Sequence, residues 1–198
     1  MKRAHTRAGG FSLIELMVTI VVASILLAVA VPNLRTFMRR SAVTSEVNDL
    51  IADLQQARST AVTTRSLVAF CPRTTSTSTV ACGTANTYEN GWIIYIPTAA
   101  GAAYAGDGTV NDKTLIRTTT AVTDLSIRSL NGTVITFNQR GELSAGADIN
   151  FAICSKARSG DTIGASNQGA QGSMVTQASS GRTASALIAV GDVCTPAS

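Results

Sequence analysis

Glu15 is the residue of this chain whose position packing alone explains least. It lies four residues into an apolar run, FSLIELMVTIVVASILLAVAVPNL, that begins at Phe11. A carboxylate inside a membrane-length apolar segment costs roughly 2.5–3.5 kcal/mol on insertion scales, so it calls for a partner. Cleavage after Gly10 would free an amine on Phe11, close to Glu15 on this chain or on a neighbour. Such an amine would neutralise the carboxylate and turn the pair into an assembly device.

The other chemically capable residues are arranged less productively. His5, the single histidine, sits in the basic leader, which excludes His-dependent catalysis and multi-histidine metal sites. Serines and threonines abound without a downstream histidine to activate them, and neither Lys113 nor Lys156 has a Ser-x-x-Lys context. Asp107 and Asp112 in GDGTVND lack the alternating ligands and closing glutamate of a calcium loop, so a turn is favoured. Gly106-x-Gly108 has no strand–helix context for a nucleotide. The expectation is no catalytic residue, no metal and no cofactor.

Cys71, Cys82, Cys154 and Cys194 are even in number, widely spaced and free of any CxxC pair, which favours disulfides in an oxidising compartment. Four cysteines allow three connectivities. Sequence order favours Cys71–Cys82, closing the RTTSTST loop, and Cys154–Cys194, pinning the C-terminus to a central strand. Loop entropy assigns these about 3 and about 4 kcal/mol.

The net charge of +4 and pI of about 9.1 invite a nucleic-acid reading, but the distribution of charge opposes it. Lys2, Arg3, Arg7, Arg35, Arg39 and Arg40 flank the apolar run; from Ser41 onward ten cations face eleven anions. Late in the chain Lys156, Arg158 and Arg182 sit in Gly/Ser-rich loops and could together present cations to phosphate. Arg140, in FNQRGEL, reads as a surface turn residue.

These residues need elements to hold them. The apolar run is long enough to span a bilayer and continues straight into Arg35, Arg39, Arg40 and further helical pattern. The basic leader would keep the N-terminus cytoplasmic. Beyond Pro32, Val43, Val47, Leu50, Ile51, Leu54, Ala57, Ala61 and Val62 form one apolar stripe, leaving Glu46, Asp49, Asp53 and Arg58 mostly on a solvated side. Short β-rich runs follow: 67–71, 92–96, 113–118, 125–130, 133–138, 149–154, 174–177 and 184–190. Asn131-Gly132 signals a hairpin. Residues 155–172, without pattern, read as a mobile or functional loop. The fold class is α+β: a long N-terminal helix on an antiparallel sheet. The expected parts are a leader over 1–10, a membrane or filament-core helix over 11–33, its amphipathic continuation over 34–66 and a β-rich head over 67–198.

Gly10-Phe11-Ser12-Leu13-Ile14-Glu15, between a basic leader and an apolar helix, resembles the processing site of type IV prepilins and type II secretion pseudopilins. The resemblance implies cleavage between Gly10 and Phe11 by prepilin peptidase, methylation of the Phe11 amine and pairing of Glu15 with a neighbour's N-terminus. It also implies a helix kink or local melting at Pro32. Asp49–Arg65, Val68–Pro72, Gly91-Trp92, ITFNQRGEL and Gly181-Arg182 resemble the GspH/FimT family of minor pilins and pseudopilins.

A minor type IV pilin is thereby implied, acting in pilus assembly, its initiation and pilus-dependent adhesion, twitching and DNA uptake. Its partners would be other pilins, prepilin peptidase and the bacterial inner membrane, with a single pass and a periplasmic head. The alternatives are a GspH-like pseudopilin of type II secretion and a pilus-associated DNA receptor. Some relatives bind DNA through Gly-Arg-x-Arg; here Gly181-Arg182-Thr183-Ala184 places Ala184 where the second arginine would stand.

Overall fold

The structure, a computed structural model, describes residues 12–74, 80–104, 106, 114–130, 133–158 and 160–196. The chain divides into two compact units, Met1–Met38 and Arg39–Ser198. A single helix, α1 (Leu13–Thr64, 52 residues), contributes to both.

In the first unit, Ser12 caps α1: its Oγ accepts the Glu15 backbone N–H at 3.2 Å. The described side chains that follow are exposed, among them Leu13, Ile14, Met17, Ile20, Leu26 and Phe37. The hydroxyl side chains on this stretch satisfy themselves locally. The hydroxyls of Thr19 and Ser24 donate to the carbonyls of Leu16 and Val21 at 2.9 and 2.8 Å, which leaves the helix surface effectively apolar.

In the second unit, Val43, Val47, Leu50, Leu54, Ala57 and Ala61 recur at spacings of four and three and are all buried. Val62, expected on the same stripe, is 45% exposed, because it lies at the stripe's edge in the last turn. Arg65 adopts φ +51°, and the Ser66 N–H reaches back to the Ala61 carbonyl at 3.3 Å, a left-handed cap that ends the helix.

Eight strands follow: β1 (Val68–Pro72), β2 (Trp92–Tyr95), β3 (Leu115–Thr118), β4 (Leu125–Ser129), β5 (Ile135–Phe137), β6 (Ile149–Ser155), β7 (Ser173–Gln177) and β8 (Thr183–Leu187). Each coincides with a β-rich run of the sequence. They form two four-stranded antiparallel sheets, ordered β3-β2-β1-β5 and β4-β6-β7-β8. Alternation along β1 is clean. Val68 and Phe70 face the main core, while Ala69 and Cys71 join Ile93, Tyr95 and Tyr104 behind the sheet.

The main core joins the helix stripe to both sheets through Phe70, Trp92, Ile94, Ile127, Phe137, Phe151 and Val175. Tyr88 stacks on Phe70 with ring centroids 5.7 Å apart and meets Phe151 edge-on at 5.2 Å.

Two sequence expectations change here. The strands flanking Asn131-Gly132 do not pair: β4 pairs with β6, and β5 with β1. Five residues separate them, more than a two-residue hairpin turn uses, and the chain crosses between sheets there. Residues 131 and 132 themselves lie outside the described residues. The long segment 155–172 is anchored over much of its described length. Ser126 Oγ accepts the Gly164 N–H at 2.8 Å, and the buried Ser166 hydroxyl donates to the Ile188 carbonyl at 2.9 Å.

Candidate functional site

Three places answer to the residues singled out by sequence: the start of α1, the cysteine pairs and the late cations. At the start of α1, Ser12 and Glu15 stand in the S-x-x-E spacing of a capping box, with Ser12 as N-cap. That signal was present in the sequence and was missed there. Glu15 is exposed, and its carboxylate has no hydrogen bond or ion pair among the described residues. The carboxylate thus stands on an apolar surface, at the end of a helix long and apolar enough to cross a membrane. Gly10 and Phe11 lie outside the described residues, as does the side chain of Pro32; the helix span itself includes position 32.

Cys71–Cys82 and Cys154–Cys194 are the disulfides, with Cα atoms 5.6 and 6.1 Å apart. The first ties the end of β1 to the middle of the segment leading to β2. The second ties β6 to the C-terminal segment, where Ile188 and Met174 pack around it.

The late cations do not converge. Lys156 follows the C-terminal end of β6, and its Nζ lies 3.8 Å from Glu89. Glu89 also holds Arg128 at 3.0 Å, so Lys156 belongs to a half-buried ion cluster. Arg158 is exposed on the same loop, its backbone N–H bound to Asp161 at 2.9 Å. Arg182 is exposed in the β7–β8 turn, which lies beside Ile149 at the other end of β6. Seven residues of strand, about 20 Å, separate the two groups. The single patch of Lys156, Arg158 and Arg182 is not present.

Arg182 has other company. The Leu143 N–H donates to the Ser179 carbonyl at 2.8 Å, joining the β7–β8 turn to the turn that carries Arg140. Gly141 and Gly181 both adopt positive φ, +77° and +86°. A Cβ on Gly181 would collide with the Gly141 carbonyl and the Arg58 guanidinium. The glycine of Gly181-Arg182 is therefore required by packing against α1. Arg140 is exposed but pairs with Glu142 at 3.0 Å, and the Asn138 and Arg140 contacts hold that carboxyl below its usual range.

One polar site was misread from sequence. Asp53, expected on the solvated side of α1, is buried, accepts the Trp92 Nε1–H at 2.7 Å and pairs with Arg117 at 3.2 Å. Burial raises its pKa, opposed by the Trp92 hydrogen bond and the Arg117 charge. Glu46, beside it in a groove with Asp49, Trp92 and Arg117, is pushed up to about 7 by burial and by its two carboxylate neighbours. Asp107 and Asp112 lie outside the described residues, and no group of three or more metal-binding side chains converges among those described.

Residues 46–181 match the family described as type II transport protein GspH, and residues 5–31 match the prokaryotic N-terminal methylation motif. No curated protein matches the chain by sequence. The fold is similar to that of the type IV minor pilin FimU of Pseudomonas aeruginosa, in two crystal forms. The first has 19% identity and a TM-score of 0.51, covering 79% of this chain and 96% of that one. The second has 18% identity and a TM-score of 0.47, covering 76% and 95%. The methylation motif includes Glu15 and ends within the apolar helix, the GspH match spans most of the head, and the chain belongs to the GspH family of pilin-like proteins.

Proposed function

We propose that this pilus or pseudopilus component is a minor type IV pilin, held in the bacterial inner membrane and then incorporated at low copy into a pilus. The observation that carries this reading is Glu15, an acid without a described partner in the first turn of an exposed apolar helix. A membrane alone would penalise that carboxylate, whereas a filament core supplies it with a cation. In this reading prepilin peptidase cuts between Gly10 and Phe11, and the methylated Phe11 amine of one subunit meets Glu15 of the next. Departure from helical geometry at Pro32 would let the apolar segment adapt to its neighbours. The disulfide-braced head faces the periplasm and then the filament surface or tip, where it helps to start assembly.

The experiment compares sheared surface pili from a strain lacking the gene, its complemented parent and a Glu15→Ala variant. Loss of pili without the gene, and failure of Glu15→Ala to enter them, is the expected result. Normal incorporation of Glu15→Ala would overturn the charge-pairing mechanism.

The family's description favours a second reading, a minor pseudopilin of type II secretion. It predicts normal pili and loss of an exported cargo protein in the same deletion strain.

A further inference from the structure

The two sheets have four edges; among the described residues two are covered and a third is blunted. Along β4, the Tyr88 N–H donates to the Ile127 carbonyl at 2.9 Å, and the Ser129 N–H donates to Asn86 at 3.0 Å. Along β5, the Ser144 N–H donates to the Thr136 carbonyl at 2.8 Å, while the Thr136 hydroxyl accepts the Gly101 N–H at 3.0 Å. β3 is four residues long, meets β2 through a register shift at Ile94/Tyr95 and carries Arg117. These are the usual ways of blunting an edge.

Among the described residues β8 has none of them. Residues 183–191, TASALIAVG, contain no ionisable side chain and no proline. Ala178 N–H to Arg182 C=O at 2.8 Å and Ile188 N–H to Gly172 C=O at 2.9 Å fix the phase of the β7–β8 ladder. Bonded and non-bonded pairs alternate in an antiparallel ladder. Thr183, Ser185 and Leu187 are therefore the residues whose N–H and C=O turn away from β7. Ala184 through Leu187 are exposed, Leu187 at 68%, and Val190 beyond them at 51%. The edge is also fixed at both ends, by the Gly181 turn and by the Cys154–Cys194 bond with the Ser166–Ile188 contact. A rigid edge loses little conformational entropy on docking.

We infer that the outward backbone of Thr183, Ser185 and Leu187 is a docking edge for an uncharged, apolar β-strand from the head of a different pilin-type subunit. The inference rests on the filament reading above. Among its described residues a second copy of this chain offers one edge that is neither covered nor blunted, the same β8. Two such edges can pair only around a two-fold axis, which closes the assembly instead of extending it. A neighbour with its own open strand fits both the absence of charge and the row of unpaired groups.

The test uses the full chain in cells. Ser185→Pro removes one outward N–H and leaves the bonds to β7 intact, a substitution that edge strands tolerate. Ser185→Ala keeps the N–H and serves as control. A photo-crosslinking benzoylphenylalanine in place of Leu187, in an otherwise native chain, identifies the neighbour without relying on the proline variant. The expected result is an adduct with a different chain that has its own N-terminal processing motif. In Ser185→Pro that adduct disappears and copy number in sheared filaments falls about tenfold or more, while Ser185→Ala matches the parent.

Adducts with a second copy, with unrelated proteins or with none would overturn the inference, as would parental incorporation of a folded Ser185→Pro. A parent chain absent from filaments would overturn the filament reading itself, and this inference with it.

Discussion

The indole N–H of Trp92 donates to the buried carboxylate of Asp53 at 2.7 Å, across 39 residues of sequence. The same carboxylate holds Arg117 of β3 at 3.2 Å, so one acid ties the helix to two neighbouring strands. Removing it leaves a buried indole donor without a partner. Asp53→Ala is expected to destabilise the protein by about 2–3 kcal/mol. Because Trp92 is the only tryptophan, its fluorescence during denaturant unfolding reports the loss directly.

Glu46 gives a pH dependence of defined sign. Its folded pKa of about 7 lies above the unfolded value of 4.5, so the folded state binds the proton more tightly. Stability contributed by this group is present below pH 4.5 and is lost as pH rises toward 7. Glu46→Gln should therefore raise the melting temperature at pH 8 by a few degrees and change little at pH 4. Equal melting temperatures for the two proteins at pH 8 would contradict the burial argument.

The disulfides close loops of different length, with sequence separations of 11 and 40. Loop entropy gives about 3 kcal/mol for the first and about 4 kcal/mol for the second. A Cys154→Ser/Cys194→Ser protein should unfold at lower denaturant than Cys71→Ser/Cys82→Ser, with both below the parent. Measuring the two midpoints side by side checks the ranking.

Gly181 and Arg182 should separate fold from ligand. Gly181→Ala forces a Cβ against the Gly141 carbonyl and Arg58 at φ +86°, so it should lower stability by about 1–3 kcal/mol. Arg182→Ala touches no packed group and should leave the melting temperature unchanged. If the chain is a DNA receptor, Arg182→Ala weakens duplex binding and flattens its salt slope. Absence of binding by the parent at low salt removes that role.

Much of the head was legible because its strands are short and apolar, and β1 alternates cleanly between two cores. Each β-rich run from Val68 to Leu187 became a strand. Their pairing was less legible. Asn131-Gly132 signals a reversal but not its destination, and whether the chain returns to its own sheet is decided by distant contacts. Asp53 was misread for a related reason: helical periodicity counts apolar residues, and its burial depends on Trp92 and Arg117, far along the chain. Lys156 looked available until Glu89 was brought beside it by folding. The Ser12 cap was the reverse case, local, written in four residues and overlooked.

The Cys154–Cys194 bond also decides how the chain carries mechanical load. It closes a covalent ring that contains β7 and β8. Tension applied between the helix and the C-terminal end passes from β6 through the sulfur bridge and bypasses residues 155–193. The hydrogen bonds of the β7–β8 hairpin are then not in series with the force, so pulling on the chain ends does not unzip them. Reduction would place the whole hairpin, with its open outer edge, back in the line of force.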